Sequence, residues 1–268
     1  MGSGTSAART TRLIRTFDRS AALYERGRPG YPPAAVRFLG RTFHLGPGST
    51  IVELGSGTGK FTRALLPLGA TLVAVEPMAG MRREFRRRVP TVPVLEGSAE
   101  AIPLPDGFAD AVFAAQSFHW FRGMTALREI ARVLRPGGGL GLVWNAREER
   151  AGWAREFDQL LNRHGGHGPS RRGGWRAPFG RSTSPFRALH HRKFPYAQTA
   201  PAATYPAWAL SVSRIQALPP ATRRKVAREV RALLSTHPST RGRVVVKLPY
   251  RTSVYYTSLR GSPRRSPR

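Results

Sequence analysis

Between residues 50 and 144, short apolar runs rich in β-branched residues alternate with amphipathic stretches. The strand-like runs are Thr50–Leu54, Thr71–Val75, Val92–Leu95, Ala109–Ala114 and Leu140–Trp144. The helical stretches between them are Lys60–Leu68, Ala79–Arg88 and Met124–Leu134. Strands that alternate with helices at this spacing predict an α/β fold with a doubly wound, mostly parallel sheet. The carboxyl ends of parallel strands share one edge, and sheets of this kind bind ligands at that edge.

The flanking regions have weaker patterns. Apolar residues recur at helical spacing from Leu13 to Leu23, and a second helix carrying Val36 follows the breaker run from Arg28 to Pro33. Beyond Asn145, helical spacing occurs at Trp153–Asn162, Thr204–Leu218 and Ala221–Leu234. Strand-like runs occur at Arg187–Phe194, Val244–Leu248 and Ser253–Thr257. A stretch rich in Gly, Arg, Ser and Pro from Gly165 to Ser184 predicts a surface loop.

The chain is strongly basic, and the excess lies in its second half. The net charge is +29, of which +9 falls on residues 1–150 and +20 on residues 151–268. Of the 44 basic residues 40 are Arg, a skew that a GC-rich coding sequence would produce. A surface so positive attracts polyanions whatever its task, so codon bias and a true anionic partner both remain open.

Composition excludes several classes of function. The chain has no Cys, which excludes disulfides, Cys-ligated zinc, iron–sulfur clusters and a Cys nucleophile, including the nucleophile of enzymes that methylate cytosine at C5. No metal site is predicted. No apolar stretch approaches the roughly 18 residues of a membrane span, and residues 1–8 lack the apolar core of a signal peptide. These features predict a soluble, cytoplasmic protein.

The first strand runs into a glycine turn with unusual spacing. Gly55, Gly57 and Gly59 stand at alternate positions, and a helix follows. Glycine permits positive φ and lets a ligand lie against bare backbone beside a helix N-terminus. The G-x-G-x-G spacing differs from the G-x-G-x-x-G of dinucleotide sites, and the Gly-Lys-Ser/Thr of a P-loop is absent. Glu53, two positions before the first glycine, would repel a pyrophosphate but suits an ammonium group.

The second strand also ends in an acid. Glu76 follows Val75 directly, a position from which a carboxylate can accept hydrogen bonds from two ribose hydroxyls. A ligand with a ribose, a cationic amino-acid end and no phosphate is S-adenosyl-L-methionine. The two acids and the glycine turn together predict this cofactor.

At this point the sequence resembles the class I S-adenosylmethionine-dependent methyltransferases, and within them the type 11 methyltransferase-domain family. The resemblance extends from Phe17 to about Glu149 and continues weakly to Tyr256. It implies a seven-stranded Rossmann-like sheet with helices covering the carboxyl edge of its strands. The fourth-strand segment Asp110–Phe121 and the stretch from Tyr24 to Pro32 are similar to the branch of the trans-aconitate methyltransferases, whose N-terminal segment closes over the cofactor.

The resemblance also implies roles for individual residues. Glu53 and the three glycines match the motif that lines the methionine end of the cofactor, and Glu76 matches the acid that binds the ribose. Met78 matches the residue that packs on adenine. Ser98, Ala99 and Glu100 match the loop at the adenine edge, although many relatives have Asp where this chain has Ser98. The implied organisation is one methyltransferase domain over 13–257, with a lid at 13–47, a core at 48–150, a substrate cover at 151–257 and disordered tails at 1–12 and 258–268.

Residues just past the fourth strand are candidates for the chemistry. Methyl transfer from a sulfonium mainly requires alignment and desolvation, and it requires a base only when the acceptor must lose a proton early. His119 is the candidate base, or it only covers the methionine pocket together with Trp120. Gln116 is placed to contact the amino group of the cofactor. Tyr24, Arg28 and Tyr31 form the candidate lid, with Arg28 pairing with a carboxylate of cofactor or substrate.

The acceptor is open between two classes of partner. Enzymes that methylate base nitrogens carry Asn/Asp-Pro-Pro-Tyr/Phe after the fourth strand, whereas this chain has Gln116-Ser117-Phe118-His119. No RNA-recognition or KH module is evident, so specific nucleic-acid binding is not favoured. The leading hypothesis is a small-molecule acceptor, and the many Arg of the cover favour an anionic one with a carboxylate or hydroxyl as the methylated group. The alternatives are methylation of RNA or protein docked on the basic second half, and a non-catalytic module that binds the cofactor.

Overall fold

The computed structural model describes residues 21–148, 152–165 and 174–261. The predicted N-terminal tail, most of the helix predicted from Leu13 and residues 262–268 of the predicted C-terminal tail lie outside these residues. The tail prediction is wrong at its start, because Ser258 ends the last strand and Leu259 forms a bridge with Phe186. The α-helices are α1 (Ala21–Gly27), α2 (Pro33–Thr42), α3 (Lys60–Leu65), α4 (Ala79–Arg88), α5 (Gly123–Val133), α6 (Gly152–Gly165), α7 (Thr204–Leu210), α8 (Ser213–Gln216) and α9 (Pro220–Thr236). The strands are β1 (Thr50–Leu54), β2 (Thr71–Val75), β3 (Val94–Leu95), β4 (Ala109–Ala115), β5 (Leu134–Arg147), β6 (His190–Pro201) and β7 (Val245–Ser258).

The strands form one seven-stranded sheet in the order β3-β2-β1-β4-β5-β7-β6. The first five strands in this order, β3, β2, β1, β4 and β5, are each parallel to the next. Val52 of β1 lies opposite Val73 of β2 and Val112 of β4. The strand order therefore reverses at β1, which lies between β2 and β4. The chain follows β1, β2 and β4 with turns at the carboxyl edge of the sheet, where ligands of doubly wound sheets bind. This confirms the predicted fold class.

Alternation along the strands distributes the core over both faces of the sheet. Val52 and Leu54 pack with the apolar side of α5, whereas Ile51 packs with α2, α3 and α4. Side chains of successive strand residues point to opposite faces, so a strand with apolar residues at nearly every position must be covered on both sides. The sequence of β1 meets that condition, and its last four residues are buried.

The described chain divides into two compact units. The sheet unit contains 31–145, 174–194 and 252–261, and the helical unit contains 21–30, 146–148, 152–165 and 195–251. The core of the helical unit is built around two large buried side chains, Tyr205 and Trp208. In the part of the chain that the structure describes, no helix is both long enough and apolar enough to cross a bilayer.

Several element predictions are wrong in extent. The fifth strand begins at Leu134 rather than Leu140. Its pairing with β4 is irregular opposite Ala109–Ala111, and this irregularity lets the glycine-rich segment predicted as a turn pair with β4 as part of the strand. The helix predicted over Thr204–Leu218 is interrupted where the Ser211 hydroxyl donates to the Trp208 carbonyl, a bond that competes with helical pairing. The two strands predicted after Val244 form one strand, β7.

The loop predicted over Gly165–Ser184 is also wrong in part. Residues Gly174–Gly180 form a 3₁₀ helix. Phe179 is buried against Phe118, and Trp175 stacks on Trp144. Two aromatic side chains thus anchor a segment whose glycine and arginine content predicted exposure, because burial of such large apolar surfaces outweighs the loop propensity of their neighbours.

Candidate cofactor site

The glycine turn after β1 has the left-handed backbone that its sequence predicts. Gly55, Gly57 and Gly59 have φ angles of +63°, +58° and +80°. The amide of Gly55 donates to the Val75 carbonyl at 2.8 Å, which fastens the turn to the end of β2. At two of these positions a side chain would also collide with a neighbouring residue. A Cβ on Gly55 would lie 2.7 Å from that of Ser117, and one on Gly59 would lie 2.7 Å from Val89.

Gly57 is different because its missing side chain would point into open space. The described chain places no atom within 4 Å of the position that a Cβ would take there. Next to it, Ser56 is buried, and its hydroxyl has no hydrogen-bond partner among the described residues. A buried polar atom without a partner beside a bare stretch of backbone is the arrangement expected where a polar ligand completes the structure. The turn therefore fits a bound ligand with polar groups.

Glu53 is held in a buried position at the end of β1. Its side chain is 2% exposed and accepts a hydrogen bond from the Thr62 hydroxyl at 2.5 Å. Burial raises the pKa of Glu53 to about 8, and the nearby negative charge of Glu76 adds to the rise, whereas the Thr62 hydrogen bond and Arg63 oppose it. Proximity to Glu76 agrees with the prediction that two acids meet at neighbouring strand ends. A cationic ligand group near Glu53 would favour its ionised form.

The raised pKa of Glu53 makes stability depend on pH. Between pH 4.5, the ordinary value, and about 8, the native state keeps a proton that the unfolded chain has lost. The free energy of unfolding of the ligand-free protein should therefore fall as pH rises through this window, by up to about 1.4 kcal/mol per pH unit. Glu53→Gln should remove that part of the slope. Urea denaturation at pH 5, 6, 7 and 8 measures both proteins, and equal slopes would contradict the assignment.

Glu76 lies at the end of β2 with its carboxylate fixed by backbone amides. It is 4% exposed, and its two oxygens accept hydrogen bonds from the amides of Gly57 (2.9 Å) and Met78 (3.0 Å). The carboxylate therefore spans the glycine turn and the start of α4. Arg82 donates to the Glu76 carbonyl at 2.9 Å, which secures the same turn from the other side. Met78 is partly exposed beside it, as a residue packing on a ligand ring must be.

The loop predicted at the adenine edge is a small hydrogen-bonded turn. Ser98 forms an isolated bridge with Ala101, and its hydroxyl accepts from the Glu100 amide at 3.2 Å. Ala99 is buried in the core beside β2. The Glu100 carboxylate accepts from the amide of Arg122, the residue that precedes α5, at 2.6 Å. The roles of Ser98, Ala99 and Glu100 toward adenine stay predictions.

The turn after β4 lies directly against the glycine turn. The Ser117 hydroxyl donates to the Leu54 carbonyl at 2.9 Å. Gln116 has a left-handed backbone (φ +60°), which is uncommon for a residue other than glycine, and its side-chain amide donates to the Asn145 carbonyl at 3.3 Å. The structure thus brings the ends of β1, β2 and β4 together, while the predicted contact of Gln116 with the cofactor stays a prediction.

His119 lies in a short 3₁₀ turn, Phe118–Trp120. Its Nδ1 accepts a hydrogen bond from the indole Nε1 of Trp144 at 3.3 Å. Burial lowers the pKa of His119 to about 4. The Trp120 ring lies 4.8 Å from the imidazole. Partnership with Trp144 was not foreseen from the sequence.

The residues predicted as a lid belong to different units. In the sheet unit, the Tyr31 ring packs edge-on against Phe61, with centroids 4.8 Å apart. In the helical unit, the Arg28 guanidinium lies over the Tyr24 and Trp208 rings and donates to the Ser211 hydroxyl at 2.9 Å. Arg28 therefore contacts aromatic and hydroxyl groups of its own unit, and its predicted pairing with a carboxylate stays a prediction.

Four residues that sequence reasoning did not single out shape the site. They are Ser56, Thr62, Ser117 and Trp144. Ser56 and Thr62 stand within three residues of the glycine motif, so position alone would have nominated them. Ser117 bonds to Leu54, 63 residues away in the chain, and Trp144 bonds to His119, 25 residues away. A single sequence does not reveal contacts between such distant residues.

Comparison with known proteins places these features in a family. A family model described as a methyltransferase domain matches residues 52–142. An uncharacterized methyltransferase of Mycobacterium tuberculosis is 38% identical over 239 residues, which cover 88% of this chain and 93% of that protein. The malonyl-[acyl-carrier protein] O-methyltransferase of Serratia marcescens is 33% identical over 124 residues, 46% of this chain and 48% of that protein.

The fold has a solved counterpart. The structure of a candidate type II methyltransferase from Anaeromyxobacter dehalogenans superimposes with a TM-score of 0.65 over 88% of this chain and 99% of that chain, at 23% identity. At that identity the likeness concerns the fold, and the longer sequence match to the mycobacterial protein carries the family assignment. The chain belongs to the class I S-adenosylmethionine-dependent methyltransferases.

Proposed function

We propose that the protein transfers the methyl group of S-adenosylmethionine to an oxygen of a small-molecule acceptor. The observation that carries the cofactor part is the Glu76 carboxylate, which two backbone amides hold across the glycine turn. A buried acid is retained at such a position when hydrogen-bond donors surround it. Two ribose hydroxyls are donors of the kind that this carboxylate accepts.

The residues present fit the rest of the cofactor. Met78, partly exposed at the start of α4, would pack on adenine, with Ser98, Ala99 and Glu100 along its edge. Glu53 would lie near the methionine ammonium, the open side of Gly57 would face the methionine end, and the Ser56 hydroxyl would gain a partner. When bound, S-adenosylmethionine supplies an electrophilic methyl group on a sulfonium. The protein's own contribution is to orient the reactants and exclude water.

One observation supports an oxygen acceptor, and another disfavours a nucleic-acid base. The Serratia relative is named as a malonyl-[acyl-carrier protein] O-methyltransferase, and it matches 46% of this chain. The turn after β4 lacks the Asn/Asp-Pro-Pro motif of base-nitrogen methylation. Similarity of the Asp110–Phe121 segment to the trans-aconitate branch supports an acceptor with carboxylates, and we keep that branch as part of the proposal.

The function is tested in two steps with the full chain. Calorimetry with S-adenosylmethionine should show one binding site per chain. Incubation of the protein, radiolabelled S-adenosylmethionine and an extract of the expressing cells should then place label in a small-molecule fraction, and the labelled compound is identified by its mass increase. Binding without any transfer would favour the non-catalytic alternative, and absence of binding would contradict the cofactor assignment.

The same incubation separates the other acceptors. Label that is sensitive to ribonuclease or remains with precipitated protein would support macromolecular methylation docked on the basic second half. If the protein binds RNA only at low salt and no label is found in the RNA, the basic second half attracts RNA non-specifically and RNA is not the methyl acceptor.

A further inference from the structure

The hydrogen bond between Trp144 and His119 fixes which imidazole nitrogen carries a proton. An indole N–H can only donate, so Nδ1 of His119 must supply the lone pair that accepts it at 3.3 Å. In the neutral ring the proton then resides on Nε2. Burial, which lowers the pKa of His119 to about 4, keeps the ring neutral near pH 7. His119 therefore presents an N–H donor at Nε2 rather than a lone pair.

Trp144 itself is held rigidly enough to impose this choice. It is 7% exposed and stacks on Trp175, with ring centroids 4.3 Å apart and an interplanar angle of 29°. The Tyr255 ring packs edge-on against it at 5.7 Å. These contacts fix the indole plane and with it the direction of the N–H group.

The donor belongs to the part of the sheet edge that borders the glycine turn. His119 lies between Ser117 and Phe121, and a Cβ on Gly55 would lie 2.7 Å from the Ser117 Cβ and 3.7 Å from the Phe121 ring. Within residues 21–148, 152–165 and 174–261 no group forms a hydrogen bond with Nε2 of His119. His119 thus lies on the segment that borders the glycine turn, and its Nε2–H, which has no partner among the described residues, remains available as a donor to a second reactant.

We infer that His119 binds the methyl acceptor as a hydrogen-bond donor through Nε2 and that Trp144 is the residue that positions this donor. The inference rests on the proposed function and assigns the residue that contacts its acceptor. A general base at Nε2 would need a lone pair there, which requires the other tautomer and the loss of the Trp144 bond. The geometry thus favours a donor over the base that sequence alone suggested.

The carboxylate acceptor already included in the proposed function suits this arrangement because it is ionised at neutral pH. One of its oxygens forms the new O–CH₃ bond with its own lone pair as the S–CH₃ bond breaks, so no proton is released, and the products are a methyl ester and a neutral thioether. The other oxygen accepts from Nε2–H. A hydroxyl acceptor, by contrast, must lose a proton to a base.

The tautomer can be measured without substrate. Long-range ¹H–¹⁵N spectra of the full chain should show His119 as the Nε2–H form. The chain has seven histidines, and the signals of His119 are those that disappear in the His119→Gln variant. Trp144→Phe keeps an aromatic ring but removes the N–H, so the Nδ1–H form should become populated. Trp153→Phe is the matched control, because its indole donates to the Lys247 carbonyl in the helical unit, and it should leave His119 unchanged. A wild-type Nδ1–H form, or a Trp144→Phe spectrum equal to wild type, would overturn the inference.

Two activity measurements test the acceptor. Label transferred to a carboxylate should be released as volatile methanol by mild alkali, whereas alkali-stable label would overturn the carboxylate assignment. His119→Ala should lower methyl transfer by about 10- to 100-fold, the value of a hydrogen bond to a charged group. His119→Gln, whose amide N–H can reach the same position, should lose clearly less activity than His119→Ala; equal loss in both variants, or none in Ala, would overturn the donor role. Failure of the proposed function is distinct, since the wild type would then bind no cofactor or transfer no label.

Discussion

Replacing Glu76 by alanine should weaken S-adenosylmethionine binding by about 10²- to 10⁴-fold. The proposed site gives the ribose two hydrogen bonds to an ionised acceptor, each worth on the order of 1.5–3 kcal/mol. The same carboxylate also holds the amides of Gly57 and Met78, so the variant loses the support of the glycine turn as well. Calorimetric titration of folded wild-type and variant protein measures the difference.

A matched control separates this effect from general loss of negative charge. The Asp106 side chain is 81% exposed and pairs with Arg132 at the surface of the same unit. Asp106→Ala should bind the cofactor as wild type does, because an exposed pair contributes little to stability and lies outside the site. Unchanged affinity in the folded Glu76 variant would mean that the ribose binds elsewhere.

Alanine substitutions in the glycine turn should separate folding from binding. Gly55→Ala forces a side chain into the left-handed region and against Ser117, so it should lower the free energy of unfolding by about 2–5 kcal/mol, the sum of backbone strain and overpacking. Gly57→Ala has the same strain but an open position, so its cost should be only about 1–2 kcal/mol. Its methyl group nevertheless projects where we place the methionine end, and cofactor affinity should fall sharply.

Gly107 supplies the control for Gly57. Its φ of +60° nearly equals the +58° of Gly57, and the described chain likewise leaves its Cβ position open within 4 Å. Gly107→Ala should therefore cost the same stability in denaturant unfolding but leave cofactor binding unchanged. Equal affinities in the two variants would show that the open side of Gly57 does not face the ligand.

The sheet and its carboxyl edge could be predicted from the sequence because local and tertiary preferences agree there. β1, β2 and α4 have the predicted boundaries, since each apolar run ends at a turn residue or a helix start that the sequence marks. The glycines of the turn could be recognised because only glycine adopts their left-handed backbone without strain. The proximity of Glu53 to Glu76 could be expected because both acids stand at the ends of strands that the sequence predicts to be neighbours.

The remaining features depend on contacts between distant residues. β5 starts early because its pairing with β4 is irregular there. The glycine-rich segment has no strand-like alternation of apolar and polar residues from which this start could be predicted. Trp175 and Phe179 are ordered by a core that other elements build. The Trp144–His119 bond joins the last part of one strand to the turn after another. The tautomer that decides the role of His119 was therefore outside the reach of sequence analysis.

A crystal structure of the full chain grown with S-adenosylhomocysteine tests the cofactor assignment most directly. It should show the nucleoside at the ends of β1 and β2, with both ribose hydroxyls on the Glu76 carboxylate and the amino-acid end against Gly57. A nucleoside bound anywhere else, or a Glu76 carboxylate that contacts only the amides of Gly57 and Met78, would contradict the account.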